Sequence, residues 1–154
     1  MPSSTKRFAA KLLSHVARRR PDDFTGLGVV FYENLETLPF IGLHVLSEHQ
    51  IALPVTDLEE IAMQLAAASS ASSAWHDGFH FVDGHTRTLT HLAQFLSPPI
   101  PVERADAPLA AGARHMTAML ASKVKGILGV GLLAQDGEVT LFENGLQTLR
   151  ETTR

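Results

Sequence analysis

Short apolar runs of strand length alternate along the chain with stretches of helical periodicity, and this alternation restricts the fold more than any other feature. The strand candidates are GLGVVFY (26–32), FIGLHVL (40–46), HQIALPV (49–55), GFHFV (78–82), TLTHLAQFL (88–96), GILGVGLLA (126–134) and EVTLFE (138–143). Between the last two, Gln135-Asp136-Gly137 is a hairpin signal. Strands mixed with helices over 154 residues predict a single compact α/β domain.

The first helical segment, residues 3–20, precedes all the strands, so residues 1–25 are predicted as an N-terminal amphipathic helix ahead of the main unit, 26–154. Ser3 or Ser4 is the expected cap, and Pro21 ends the segment. The apolar face consists of Phe8, Ala9, Leu12, Leu13 and Val16. This face is favoured to pack on the chain's own domain, and a partner surface is the alternative.

Two further helices follow from local patterns. Thr56 and Glu59 form a T-x-x-E capping box, which predicts a helix start. The apolar face behind it consists of Leu58, Ile61, Ala62, Leu65 and Ala66. A third helix is expected over roughly 113–123, with Met116, Met119 and Leu120 as core candidates. The tail from Gly145 is also expected to be helical.

Composition limits the class of protein. The chain has no cysteine, which excludes disulfides, thiolate metal ligands and a cysteine nucleophile. Its formal charge is −3, and its one dense basic run, 18–20, closes a helix, where cations complement the dipole. A nucleic-acid partner is therefore not expected. No apolar run approaches the ~20 residues that cross a bilayer, so we expect no membrane partner and a cytoplasmic location.

The histidines suggest a metal cluster at first sight. His76, His80, His85 and His91 lie close together with Asp77 among them. Strand alternation, however, places Asp77 and His80 on opposite faces, and no H-E-x-x-H pattern occurs in the chain. A self-contained zinc site is therefore disfavoured. A serine hydrolase is disfavoured too, because the chain has no G-x-S-x-G motif.

Two distant segments suggest a phosphate site instead. HDG (76–78) opens a strand, and GARH (112–115) opens a helix. A glycine-led helix start offers free amides and the positive end of the dipole to an anion, and Arg114 adds a planar cation. The carboxylate of Asp77 and the imidazole of His115 suit Mg²⁺ or Mn²⁺. The alternative is a turn aspartate and an Arg-His pair on a solvated helix end.

The order of these pieces resembles the diadenylate cyclase (DAC) domain family over about residues 26–145. That family has a D-G-A motif opening a strand and a G-T-R-H-R-type motif opening a helix. The resemblance implies a mixed central β-sheet surrounded by helices, which binds ATP with Mg²⁺ or Mn²⁺. In active relatives two domains meet face to face and condense two ATP molecules into cyclic di-AMP and pyrophosphate.

The resemblance also implies a role for each matching position. Asp77 and His115 would be the catalytic and metal-binding residues. The nucleotide and its phosphates would be held by Gly78, Gly112 and Arg114. Phe79 would border the same pocket, because it stands where the family has alanine.

Several departures from the family pattern affect the expected activity. Phe79 adds volume, Met116 replaces the second arginine, Ala113 replaces a hydroxyl residue, and Gln135-Asp136 replaces a Ser-Glu-Glu pattern. A lost charge-assisted phosphate contact costs about 1.5–3 kcal/mol, and more where charge gathers in a transition state. Turnover should therefore suffer more than binding.

The sequence thus favours an adenine-nucleotide-binding domain that senses or regulates, with ATP or cyclic di-AMP as the ligand and with weakened catalysis. Two alternatives stay open. One is an active diadenylate cyclase, and the other is a structural interaction module that uses the helix at 3–20. A homodimer or a larger homo-oligomer is the assembly considered.

Overall fold

A mixed seven-stranded sheet forms the centre of the molecule. The computed structural model describes residues 3–43, 52–100 and 112–152. Its elements are α1 (Ser4–Ala17), β1 (Leu27–Tyr32), β2 (Phe40–Gly42), α2 (Leu58–Ala68), β3 (Phe79–Asp83), β4 (Thr88–Leu96), α3 (Ala113–Ala121), β5 (Ile127–Leu133), β6 (Glu138–Glu143) and β7 (Leu146–Thr152). The strand order is β2-β4-β3-β1-β5-β6-β7. The predicted α/β fold with a mixed sheet is confirmed.

The central strand β1 joins the parallel and antiparallel parts of the sheet. It pairs parallel to β3 and antiparallel to β5. Its side chains alternate between two cores: Val29 faces the core beneath α1 and α2, whereas Val30 faces the core beneath α3. Both faces of β1 are therefore buried, which explains why its sequence is continuously apolar.

Helix α1 packs on its own domain, as the sequence favours. Ser3 caps it by accepting the Lys6 amide at 3.0 Å. Its apolar face is buried, and Leu13 occupies the space above Gly131, where an added Cβ would lie 2.6 Å from Leu13 Cδ1. The face is consequently part of the core and is not available to a partner.

The second helix begins one residue later than predicted. Asp57, not Thr56, is the N-cap of α2, and its carboxylate accepts the Glu60 amide at 3.0 Å. The predicted capping box of Thr56 and Glu59 is therefore wrong, because the N-cap lies one residue later. Two adjacent residues can both cap a helix, and the anionic aspartate complements the helix dipole better than threonine does. The predicted apolar face is otherwise confirmed, with Leu58 partly buried.

The third helix packs on the sheet through small side chains. Ala118 and Ala121 of α3 are buried, whereas Met116, Met119 and Leu120 are only partly buried. Of the three predicted core residues, Met119 packs against the core beneath α3, whereas Met116 and Leu120 are not among the residues of that core. Small residues on the inner face let the helix backbone lie close to the strands.

The tail from Gly145 forms a strand, not the predicted helix. Asn144 and Gly145 both have left-handed backbone conformations, with φ of 50° and 80°, and they turn the chain tightly. β7 then pairs antiparallel to β6, with Leu149 opposite Leu141. Pairing with β6 supplies the backbone hydrogen bonds that a helix would otherwise have to make by itself.

The two strand candidates after β1 are shorter than predicted where the structure describes them. β2 ends at Gly42, and the remainder of the run at 40–46 from residue 44 onward lies outside the described residues. The run at 49–55 is described only from residue 52, and there Val55 forms an isolated bridge with Leu89.

Candidate functional site

The Asp77–Gly78 turn leads into β3 at the start of the parallel β1–β3 pair. Gly78 has a left-handed φ of +82°, and a Cβ there would lie 2.7 Å from the Gln94 carbonyl oxygen. Glycine is required at this position for both reasons. The turn leaves the Asp77 side chain 75 % exposed, so its carboxylate is open to a ligand.

His76 and Asp77 face each other on this turn. Nδ1 of His76 lies 2.6 Å from the Ser73 carbonyl oxygen, which can only accept, so Nδ1 carries a proton. In the neutral ring Nε2 then has a lone pair, and it lies 3.5 Å from Asp77 Oδ1. These two electron-pair donors could together bind a cation placed between them.

Arg114 extends from the first turn of α3 to the start of β1. Its guanidinium donates a hydrogen bond to the Thr25 carbonyl at 3.3 Å. Burial lowers the pKa of Arg114, and the nearby Asp77 carboxylate opposes that shift. Gly26, beside the guanidinium, and Asp77 each stand two residues before the paired Gly28 and Phe79, so Arg114 and Asp77 come to the same end of the β1–β3 pair.

His115 is directed elsewhere. Its ring lies edge-on to Phe142 of β6, with the ring centroids 4.7 Å apart. β6 is two strands away from β1 in the sheet. The contacts therefore direct Arg114 towards the start of β1 and His115 towards β6. Gly112 caps α3 with open space around it, since an added Cβ would meet nothing within 4 Å.

Phe79 lies in the core, 6 % exposed, with its ring over Gly28 of β1. The two residues are cross-strand partners, and a Cβ on Gly28 would lie 2.4 Å from the ring. The absence of a side chain at Gly28 therefore leaves room for the Phe79 ring.

Two residues near the site were given no role there by the sequence analysis. Gly26, with φ +87°, leaves the space in which the Arg114 guanidinium lies. His80 is 1 % exposed, and its Nδ1 accepts the Ala93 amide at 3.1 Å. Burial first and the Arg114 charge second lower the pKa of His80 to about 4, so its ring is neutral. The sequence could have indicated Gly26, because a glycine stands directly before the apolar run of β1. No residue spacing indicates the role of His80.

The donor atoms of the Asp77–Gly78 turn suit a metal ion whose other ligands come from the nucleotide and from water. Among the residues that the structure describes, no group of three or more His, Cys, Asp or Glu side chains could hold a metal ion. His76 and Asp77 supply two donors. This number suits Mg²⁺ or Mn²⁺ bound chiefly by triphosphate oxygens and water, since Mg²⁺ commonly uses only one or two protein carboxylates.

Gly26→Ala should lower the free energy of unfolding by about 1–2 kcal/mol from the left-handed backbone alone. It should also displace Arg114, because the new Cβ would lie 2.6 Å from Nη1. Urea unfolding measures the first effect. Gly112→Ala is the matched control, because its Cβ meets nothing within 4 Å. A loss in Gly26→Ala no larger than that in Gly112→Ala, whose φ is −74°, would contradict both the cost of the left-handed backbone and the packing of Arg114 over Gly26.

No family model matches the sequence, and no curated protein matches it. In structure the chain is similar to the hypothetical membrane spanning protein from Bacillus cereus, with a TM-score of 0.60 and 20 % sequence identity. The match covers 92 % of this chain and 60 % of that protein. In the parts of this chain that the structure describes, no helix is both long and apolar enough to cross a membrane. At this identity the comparison supports the α/β fold alone.

Proposed function

We propose that the chain binds an adenine nucleotide, ATP or cyclic di-AMP, between Asp77 and Arg114, and acts as a nucleotide-sensing or regulatory module. The observation that carries the proposal is that Arg114 contacts Thr25 and Gly26 directly before β1, while Asp77 lies directly before β3, the parallel neighbour of β1. The choice of adenine rests on the resemblance to the diadenylate cyclase domain. A cytoplasmic setting without nucleic-acid or membrane partners stays a prediction.

Arg114 is the phosphate-binding group of this proposal. Its planar guanidinium matches phosphate oxygens in pairs, and its partial burial strengthens such contacts relative to those of an exposed cation. It projects from the first turn of α3, where free amides and the helix dipole also favour an anion. The charge and the dipole therefore act on the same ligand.

Asp77 and His76 are the residues that would hold Mg²⁺ or Mn²⁺ alongside the phosphates. The metal, when bound, neutralises phosphate charge and orients the triphosphate. His115 packs against Phe142, and Met116 stands at the position of the family's second arginine. With fewer cations to stabilise a charged transition state, nucleotide binding should persist better than cyclisation.

Arg114→Ala should weaken ATP binding by about 10- to 100-fold, because a charge-assisted hydrogen bond contributes about 1.5–3 kcal/mol. Isothermal calorimetry with ATP and with cyclic di-AMP, each with and without Mn²⁺, measures the affinity. Arg150→Ala, which removes the same charge from the edge strand β7, is the control and should bind as the unmodified chain does. Two results would refute the proposal: normal ATP affinity in Arg114→Ala, or no binding of either nucleotide by the unmodified chain at millimolar concentration.

An active diadenylate cyclase is the second candidate function, and the position of His76 beside Asp77 favours it. Its Nε2 beside Asp77 provides a nitrogen donor in place of His115. Incubation with ATP and Mn²⁺ followed by mass spectrometry detects cyclic di-AMP, and light scattering on the same samples detects the homodimer that this reaction requires. Asp77→Ala is the control, because product that persists in this variant comes from a contaminant.

A further inference from the structure

The pairing of β3 with β4 is irregular at two places, opposite His80 and between Phe81 and Val82, and the first of these is the one beside the turn. Phe79 pairs with Gln94 and Phe81 with His91, so two steps along β3 correspond to three along β4. This is a β-bulge, and such bulges often lie beside functional sites. The extra residue on β4 leaves a backbone amide that the regular ladder does not pair.

His80 satisfies that amide. Ala93, in the bulge, has a left-handed φ of 52°, and its N–H donates to Nδ1 of His80 at 3.1 Å in the buried interior. Nδ1 can accept only if the ring is neutral with its proton on Nε2. A buried amide left without a partner would cost about 1–3 kcal/mol, so this hydrogen bond stabilises the bulge at Ala93.

The bulge in turn contacts the Asp77–Gly78 turn. Gln94 follows Ala93 directly, and its backbone lies against Gly78, where a Cβ would be 2.7 Å from the Gln94 oxygen and 3.0 Å from its nitrogen. The contact is between two backbones, which cannot adjust as a side chain can. A shift of the bulge would therefore move Gly78, and Asp77 with it.

We propose that His80 is a positioning residue: by accepting the Ala93 amide it fixes the β4 bulge, and through Gln94 it fixes the turn that presents Asp77. His80 is 1 % exposed, so it acts on the turn through other residues and not on a ligand directly. Its effect on nucleotide binding rests on the proposed function. Its effect on the geometry of the turn does not.

Two substitutions separate the acceptor from the bulk of the side chain. His80→Asn keeps an acceptor oxygen near the place of Nδ1, whereas His80→Leu keeps similar volume and has no acceptor. Amide ¹H–¹⁵N spectra of Ala93, Gly78 and Asp77 report on the turn, and calorimetry with Mg²⁺ and ATP reports on binding. We expect His80→Leu to shift all three resonances and to weaken ATP binding about tenfold, and His80→Asn to restore both to near their original values.

Unchanged Gly78 and Asp77 resonances in a folded His80→Leu chain would overturn the proposal. If that variant does not fold by circular dichroism, the ¹⁵N shifts of the His80 ring in the unmodified chain decide: a proton on Nδ1 would overturn the proposal, and a proton on Nε2 would support it. Absence of ATP binding by the unmodified chain would refute the proposed function alone, because the amide spectra still test the position of the turn.

Discussion

Phe79→Ala should lower the free energy of unfolding by about 3–5 kcal/mol, although alanine is the residue that the diadenylate cyclase motif has at this position. The Phe79 ring is buried in the core beneath α3 and lies over Gly28, its cross-strand partner. Removing the ring leaves a cavity, because Gly28 has no side chain to fill the space. Introducing that family's D-G-A motif into this chain should therefore destabilise it. Urea unfolding followed by circular dichroism gives the free energy.

A double-mutant cycle with Gly28 tests the physical reason. Gly28→Ala alone should cost about 1–3 kcal/mol, because its Cβ would overlap the Phe79 ring. In the Phe79→Ala background the new methyl group enters vacated space, so the double variant should be more stable than the sum of the single losses predicts, by about 1 kcal/mol or more. Losses that simply add would mean that the two residues do not share this space.

Local sequence patterns predict most of this fold, because most of its helices and strands follow from the residues within them. The continuous apolar run of β1 reflects burial on both faces, and the Asp136-Gly137 turn joins β5 to β6 as its sequence indicates. The helix predicted for the tail is wrong because most residues of β7 are exposed, so no alternation of apolar and polar residues marks it as a strand. Its position follows from the turn before it and from pairing with β6.

The site was predictable only in part. That Asp77 and Arg114 share a site stays a prediction, whereas the position of Arg114 at the start of β1 depends on Gly26, which leaves room for the guanidinium. Adjacent helical residues project about 100° apart, so Arg114 and His115 reach different strands although they form one motif. The role of His80 exists only once β3 and β4 pair with a bulge, which no sequence spacing specifies.

Acidification from about pH 6.5 to about pH 4 should lower the free energy of unfolding by about 3 kcal/mol through His80 alone. Burial and then the Arg114 charge lower the pKa of His80 to about 4 in the folded chain, against an ordinary value of 6.5. Between these two values the unfolded chain binds a proton that the folded chain does not, so stability decreases by about 1.4 kcal/mol for each unit that the pH falls. Above this range the histidine is neutral in both states and contributes no pH dependence.

His80→Asn isolates this contribution, because asparagine does not titrate and keeps an acceptor for the Ala93 amide. Burial also lowers the pKa of His91, which adds a slope of the same sign, but that slope is common to both chains and cancels in their difference. The free energy of unfolding of both chains is measured in urea at about pH 7, 6 and 5. For each unit that the pH falls, the unmodified chain should lose about 1 kcal/mol more than His80→Asn loses. Parallel pH profiles of the two chains would contradict this prediction, because His80 would then be protonated as readily in the folded chain as in the unfolded chain. A protonated imidazole cannot accept the hydrogen bond from the Ala93 amide.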